Sequence, residues 1–377
     1  MTARENTAVG GRPSAVTPLR VGIVGCGLIG KRRAEIVRRC PGDELVIVAD
    51  VNEPQARSLA GEMGCLATTD WQEVIARDDV EAVVVSTPNK YLMPITVAAL
   101  EHGKHVLVEK PMARNLSEAE EVLRAAVGGR RSAVGVGFNH RHHPAIWKAK
   151  ELLDRGSIGD PLFIRCRYGH GGRLGYDKEW RADADMAGGG ELLDQGVHIV
   201  DLCRWFLGDF TEAVGFTATF VWNADRGPQT ADCRGRQSAD GGQRSAVGGR
   251  VEDNAFALLC TAKGQVASLH ASWTQWRNLF SFEVFGQEGH LIVDGLGGSY
   301  GIEQLTIGRR ILEGGAPKEE VLEFSGPDLS WQAEWQEFTS AIRENRQPLA
   351  NGEDGLQVMR LIDAIYESAR TGTVVRL

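Results

Sequence analysis

Five short apolar runs recur through the first 140 residues, at positions 20–25, 45–50, 82–86, 105–108 and 133–138. Between them lie stretches whose apolar residues repeat at helical spacing, at 28–39, 54–63, 94–102 and 117–126. Strands that are apolar on both faces and alternate with amphipathic helices predict a parallel sheet covered on both sides. Ser117 is read as the start of its helix, with Glu118, Glu120 and Glu121 in the first turn, where carboxylates suit the helix dipole.

After about residue 145 the rhythm changes. Helices are predicted over 145–154 and 190–206. Strand-like segments follow or intervene at 162–168, 213–221, 255–261, 265–273, 281–285 and 290–294, joined by glycine-containing turns. This predicts a mostly antiparallel sheet. Two helices close the chain, at 331–345 and 354–370. The first carries Trp331, Trp335, Phe338 and Ile342 at helical spacing, a stripe read as core packing and not as a cofactor box. Residues 223–250 are rich in Gly, Arg, Gln, Ser and Asp, and are expected to be a flexible insertion between strands. The predicted class is α/β: an N-terminal doubly wound domain (19–144) and a C-terminal α/β domain with an open, mostly antiparallel sheet (145–353). A disordered leader (1–18) precedes them, and a helix and tail (354–377) follow.

Composition narrows the function. The chain has 377 residues and a formal charge of −8, which opposes nucleic-acid binding. No apolar run approaches the roughly 20 residues that cross a bilayer, and residues 1–18 lack the apolar block of a signal peptide. A cytoplasmic protein without membrane partners is expected. The seven cysteines are scattered, with no Cys-x-x-Cys pair, so neither a metal site nor a disulfide framework is suggested.

Four motifs carry chemistry. Gly25-Cys26-Gly27-Leu28-Ile29-Gly30 follows a strand and opens a helix, and Asp50 ends the next strand. This is the setting of a dinucleotide site: glycines and the helix N-terminus meet the pyrophosphate, and the carboxylate meets the ribose hydroxyls. Asp50 favours NAD over NADP, although Lys31, Arg32 and Arg33 could soften its repulsion of a 2′-phosphate, so NADP stays open. Thr87-Pro88-Asn89 ends the third strand, where Asn89 would touch the ribose or nicotinamide side of a cofactor; an ordinary turn is the competing reading. Glu109-Lys110-Pro111 ends the fourth. Its lysine is either a surface residue or a donor to a substrate oxygen in a sheltered cleft. Finally, a glycine run at 188–190, read as flexible, precedes Asp194 and His198, which share a helical face and form either a surface salt bridge or an acid–base pair, with Asp201 as a candidate to orient the imidazole.

Taken together, the Gly-rich motif, Thr-Pro-Asn, Glu-Lys-Pro and Asp-Gln-Gly-Val-His closely resemble the glucose–fructose oxidoreductase / inositol dehydrogenase / rhizopine catabolism family over nearly the whole chain. The resemblance implies NAD(P)-dependent oxidation of a secondary alcohol on a sugar-like molecule, and a homodimer or homotetramer built on the open sheet. It implies that Lys110, Asp194 and His198 form the catalytic set, with His198 as base, Lys110 polarising the reacting oxygen and Asp194 supporting both. Gly25, Gly27, Leu28, Ile29, Gly30, Asp50, Thr87, Asn89, Glu109 and Lys110 are then the cofactor residues. Arg141, His143, Tyr176, Trp180, Arg181 and Trp273 are candidates for the sugar. Many relatives place a histidine just after Thr-Pro-Asn, where this chain has Lys90-Tyr91-Leu92. Candidate substrates are a sugar nucleotide, an amino sugar or aminoglycoside intermediate oxidised at carbon 3, and an inositol. Two other readings are a regulator that binds the dinucleotide without turning it over and an NAD-assisted glycosidase.

Overall fold

The structure, a computed structural model, describes residues 18–128, 132–222 and 251–377. The 223–250 insertion and all of the leader but Pro18 lie outside the described residues.

The N-terminal half alternates strands and helices: β1 (Leu19–Val24), α1 (Leu28–Arg39), β2 (Asp43–Ala49), α2 (Glu53–Met63), β3 (Leu66–Thr68), α3 (Trp71–Ala76), β4 (Ala82–Val85), α4 (Leu92–Glu101), β5 (His105–Val108), α5 (Leu116–Gly128) and β6 (Val134–Val136). The strands are all parallel, in the order β3-β2-β1-β4-β5-β6. Strands β2 and β3 are added on one side of β1 and strands β4 to β6 on the other, so the strand order switches between β1 and β4. The crevice beyond their carboxyl ends is therefore where an open sheet of this kind holds its ligand. The Val residues of β4 are completely buried, which is why the run reads as continuously apolar. Helix α5 begins one residue earlier than predicted, because the Asn115 Oδ1, not Ser117, accepts the Glu118 N–H at 2.9 Å.

The second half contains α6 (Pro144–Asp154), β7 (Pro161–Gly169), the short α7 (Ala184–Ala187), α8 (Val197–Leu207), β8 (Phe210–Ala218), β9 (Asn254–Thr261), β10 (Val266–Ser272), β11 (Leu279–Gly286), β12 (Gly289–Asp294), β13 (Glu303–Arg309), β14 (Lys318–Phe324), α9 (Ser330–Arg343), α10 (Gly352–Thr371) and β15 (Val375–Arg376). Among the described residues, nine strands form one sheet, β14-β13-β12-β11-β7-β10-β9-β8-β15, in which only β10 and β7 pair in parallel. One face carries α6, α8 and α10, and a single apolar core continues from there into the parallel sheet, joining Val85 and Val108 to Val197, Val200 and Phe282.

Three differences from the sequence reading matter for the site. The predicted helix over 190–206 is broken: Leu192–Gly196 is a π-helical turn, and α8 follows it. Such turns are frequent at functional sites. The glycine run before it is packed, not loose. A Cβ on Gly190 would sit 1.9 Å from the Glu252 carbonyl oxygen, and one on Gly189 would sit 2.3 Å from the Tyr366 hydroxyl. Helix α9 returns to the parallel sheet, where Trp335 and Phe338 pack with Val21 and Ile23.

Candidate active site

The loop after β1 is shaped by crowding. Gly25 has φ +97°, and a Cβ there would meet the Ser86 carbonyl oxygen at 2.5 Å. A Cβ on Gly30 would overlap the Gly25 carbonyl oxygen at 1.8 Å, so only glycine lets α1 come this close to the loop. Gly27 differs: beside its Cβ position the nearest atom is the Gln55 side-chain amide at 3.9 Å. It is the N-cap of α1 and makes no side-chain cap bond, so the first N–H groups of the helix face open space.

That space is a cleft of about 960 Å³. Gly25, Gly27, Leu28, Ile29 and Asp50 line one end, then Thr87, Asn89, Glu109 and Lys110. The Asp50 carboxylate accepts the Cys26 and Asn52 N–H groups, each at 2.8 Å, one on each oxygen. Each oxygen keeps a lone pair for a hydroxyl. Thr87 Oγ1 is buried without a partner. Asn89 Nδ2 donates to the Ala187 carbonyl at 2.8 Å. Gly30 lies beneath the turn and does not line the cleft. The open Gly27, the unspent Thr87 hydroxyl and the Asp50 lone pairs fit a dinucleotide. Among the described residues no group of His, Cys, Asp and Glu is arranged to hold a metal ion.

The other end of the cleft is where β5, the π-helical turn and α8 meet. Lys110 Nζ donates to the Asp194 carbonyl oxygen at 2.6 Å and to its Oδ1 at 3.0 Å. Arg181 Nε lies 3.4 Å from Asp194 Oδ2, and the Tyr176 hydroxyl donates to the same oxygen at 3.5 Å. Burial opposes ionisation of Asp194, but Lys110 and Arg181 outweigh it and hold the carboxyl down at about 2. His198 is 5% exposed; its Nδ1 is fully buried without a partner, which leaves Nε2 to face the cleft. Burial, then the neighbouring Lys110 and His143, keep this imidazole neutral well below the usual histidine range. Its ring stacks on His140 with centroids 3.8 Å apart. The turn that presents Asp194 is capped by Glu252, which accepts the Gly190 and Leu192 N–H groups at 3.0 and 3.1 Å.

The remaining candidates divide. His143, Tyr176, Trp180 and Arg181 line the cleft, His143 with its Nδ1 3.0 Å from Glu303 Oε2. Arg141 and Trp273 do not. Arg141 is 1% exposed and spans the Asp201 carboxylate at 2.5 and 2.9 Å, with Asp354 at 3.1 Å; it ties α8 to α10. Asp201 is thereby committed to Arg141 and does not orient His198. Trp273 is fully buried against Tyr176. Glu109 lines the cleft, but its carboxylate is bound by Arg33 at 2.7 Å. Just after Thr-Pro-Asn, Lys90 pairs with Asp185, while Tyr91 lines the cleft. Sequence reasoning missed Tyr168, Gln195 and Tyr300 on the substrate side, with Gln195 Nε2 donating to the Tyr300 hydroxyl at 3.1 Å. Trp331 is half-buried: it packs against the cluster that holds Trp335 and also lines the cleft, a second role that periodicity alone does not reveal.

Comparison with known proteins places both halves of the chain in one family. Residues 19–138 match the family model described as an oxidoreductase family with an NAD-binding Rossmann fold, and residues 146–292 match the GFO/IDH/MocA C-terminal domain. Levoglucosan dehydrogenase of Pseudarthrobacter phenanthrenivorans is 29% identical, covering 93% of this chain and 96% of its own. The 1,5-anhydro-D-fructose reductase of Ensifer adhaerens is 31% identical, covering 95% and 98%. A solved levoglucosan dehydrogenase in complex with NADH and levoglucosan superposes with a TM-score of 0.81 at 25% identity, covering 96% of this chain and 99% of that one. With both halves matched, and with relatives spanning the full length, this chain belongs to the glucose–fructose oxidoreductase / inositol dehydrogenase / rhizopine catabolism family of NAD-binding oxidoreductases.

Proposed function

We propose that the chain oxidises a secondary alcohol on an uncharged sugar or cyclic polyol to the ketone, with NAD as the hydride acceptor. The observation that carries this reading is the convergence of Lys110, Asp194 and a neutral His198 at the inner end of the dinucleotide cleft. Bound NAD supplies the acceptor for the hydride leaving the carbinol carbon. His198 Nε2 takes the hydroxyl proton as the C–H bond breaks, in its competent unprotonated form at neutral pH. Lys110, held from behind by Asp194, places a compact positive charge beside the oxygen as negative charge develops. Asp194 holds Lys110 and keeps that charge locally balanced.

Charge accounting favours an uncharged ring over a phosphate or a nucleotide sugar. Among the described residues, each cation at the substrate end already faces a carboxylate: Lys110 and Arg181 face Asp194, and Arg173 faces Glu179 at 2.7 Å. Of the fully buried polar atoms still without partners, those on residues lining the substrate end are Gln195 Oε1, His140 Nε2 and His198 Nδ1, and none of these groups carries a positive charge at neutral pH. Trp180, Tyr176 and Tyr300 add the aromatic and hydroxyl surfaces that suit sugar rings. The named relatives act on an anhydrosugar and an anhydroketose, which agrees with this class.

NAD is preferred to NADP. Lys31 pairs with Glu62 at 2.7 Å, Arg33 is buried between Glu109 and Glu334, and Arg32 rests on Trp331, so none of the three pairs with Asp50. The outward face of the nine-stranded sheet exposes Phe163, Phe216, Phe256 and Leu258, and this face packs against a second copy of the chain. A spectrophotometric screen of reduced cofactor tests the substrate class. Anhydrosugars and inositols should reduce NAD, and their phosphates should not. Turnover restricted to phosphorylated or nucleotide-linked sugars would overturn it, and so would glycoside cleavage with no net reduced cofactor.

A further inference from the structure

Four arginine and lysine side chains line the cleft: Arg32, Lys110, Arg173 and Arg181. Three face carboxylates. Arg32 does not: among the described residues it makes no ion pair and no hydrogen bond, and its guanidinium rests 5.0 Å from the centroid of the Trp331 ring. The same ring carries Arg33 at 4.5 Å. Arg33 is neutralised by Glu109 and Glu334, whereas the charge on Arg32 is left uncompensated.

The position of Arg32 gives this charge a direction. Leu28 is the first residue of α1, and Arg32 lies four residues on, so the two share a face one turn of about 5.4 Å apart. Side chains on a helix lean toward its N-terminus. Arg32 therefore leans back over Leu28, toward the free N–H groups that follow Gly27. No carboxylate on α1 holds it: the first turn of the helix has no acidic residue, and Glu35, three residues on, makes no ion pair with it. Trp331 comes from α9, more than 290 residues away in the chain (331 − 32 = 299), yet it borders the same cleft.

We propose that Arg32 is a clamp for the pyrophosphate of the bound dinucleotide, parked on Trp331 in the empty cleft and moving onto a phosphate oxygen when the cofactor arrives. The inference rests on NAD being the cofactor and is independent of which sugar is oxidised. Trp331 keeps the guanidinium over the site and limits what is lost in ordering it. The planar fork then adds a charge-assisted bond to those given by the helix N–H groups. Because the partner is the pyrophosphate, the contact is made equally to NAD and to ADP-ribose, and not to adenosine.

Calorimetry on the full chain tests this with Arg32→Ala and Arg32→Lys, using NAD, ADP-ribose and adenosine as ligands, the last by competition. Arg32→Ala should weaken NAD and ADP-ribose alike, by about 10–100-fold, and leave adenosine unchanged. Arg32→Lys should recover part of the loss, and the salt dependence of NAD binding should flatten in Arg32→Ala. Its melting temperature should match that of the parent, since the side chain is exposed. The proposal is overturned if NAD affinity stays within about twofold of the parent, if adenosine weakens as much as NAD, or if melting drops markedly. Failure of the sugar-oxidation reading would leave all of these binding measurements unaffected.

Discussion

His198 shows how far one residue can be read from sequence and where the reading stops. Its spacing from Asp194 places both on one side of a helix, and the structure brings both to the cleft. Spacing does not reveal that the helix passes through a π turn there, or that the imidazole lies flat against His140. The second ring arrives from a different segment, and burial of both removes the charge that an isolated histidine would carry in mild acid. The kinetic consequence has a definite sign. A base works while unprotonated, that is, above its pKa; lowering the pKa moves the loss of activity toward acid. The kcat/KM profile should therefore hold as pH falls through 6.5, the ordinary histidine value, and give way only below it. A limb centred at or above 6.5 would show that His198 is not the base. The Gly-rich turn was the most legible feature, because Gly30 answers to crowding within the turn itself, against the Gly25 carbonyl, although Gly25 answers to the distant Ser86. Gln195, Tyr168 and Tyr300 were not, since only the pairing of β7 and β11 and the return of the chain after β12 place them together.

At the scale of elements, the parallel half was legible almost strand by strand, because burial on both faces writes itself as an uninterrupted apolar run. The strands that escaped notice are β3, β13, β14 and β15. Strand β14 is mostly exposed, reads Lys-Glu-Glu-Val-Leu-Glu-Phe, and is an edge whose charges discourage further pairing; only Leu322 and Phe324 turn to the core, too few to leave a pattern. Arg141 was misread for a related reason: a buried arginine and a ligand-binding arginine look identical in sequence. Its ion pairs clamp the segment before α6 to Asp201 of α8 and Asp354 of α10. Arg141→Met should thus leave Asp201 buried and unpaired, at a cost of about 3–5 kcal/mol in urea unfolding. A variant of unchanged stability but raised KM would instead place Arg141 at the substrate.

The whole molecule joins two sheets through one core and returns α9 to the first of them, so the cleft is walled by segments from both ends of the chain. Among the described residues no helix is long and apolar enough to cross a membrane. The outward sheet face takes no part in the site. Phe256 and Leu258 lie on it, 39% and 50% exposed. Changing both to Glu should shift the particle to a smaller species in sedimentation while NAD binding is retained; a parent that sediments as a monomer would contradict the assembly. The central claim is hydride transfer from a ring carbon to NAD with His198 and Lys110 at the reacting oxygen. It is tested most directly by following deuterium from the carbinol carbon of a labelled cyclic polyol into the reduced cofactor, in the parent and in His198→Ala and Lys110→Met. The account predicts label in the nicotinamide ring with the parent, and transfer slowed about 10²–10⁴-fold in each variant at near-parent NAD affinity. Label that never reaches the cofactor, or parent-like transfer in either variant, would contradict it.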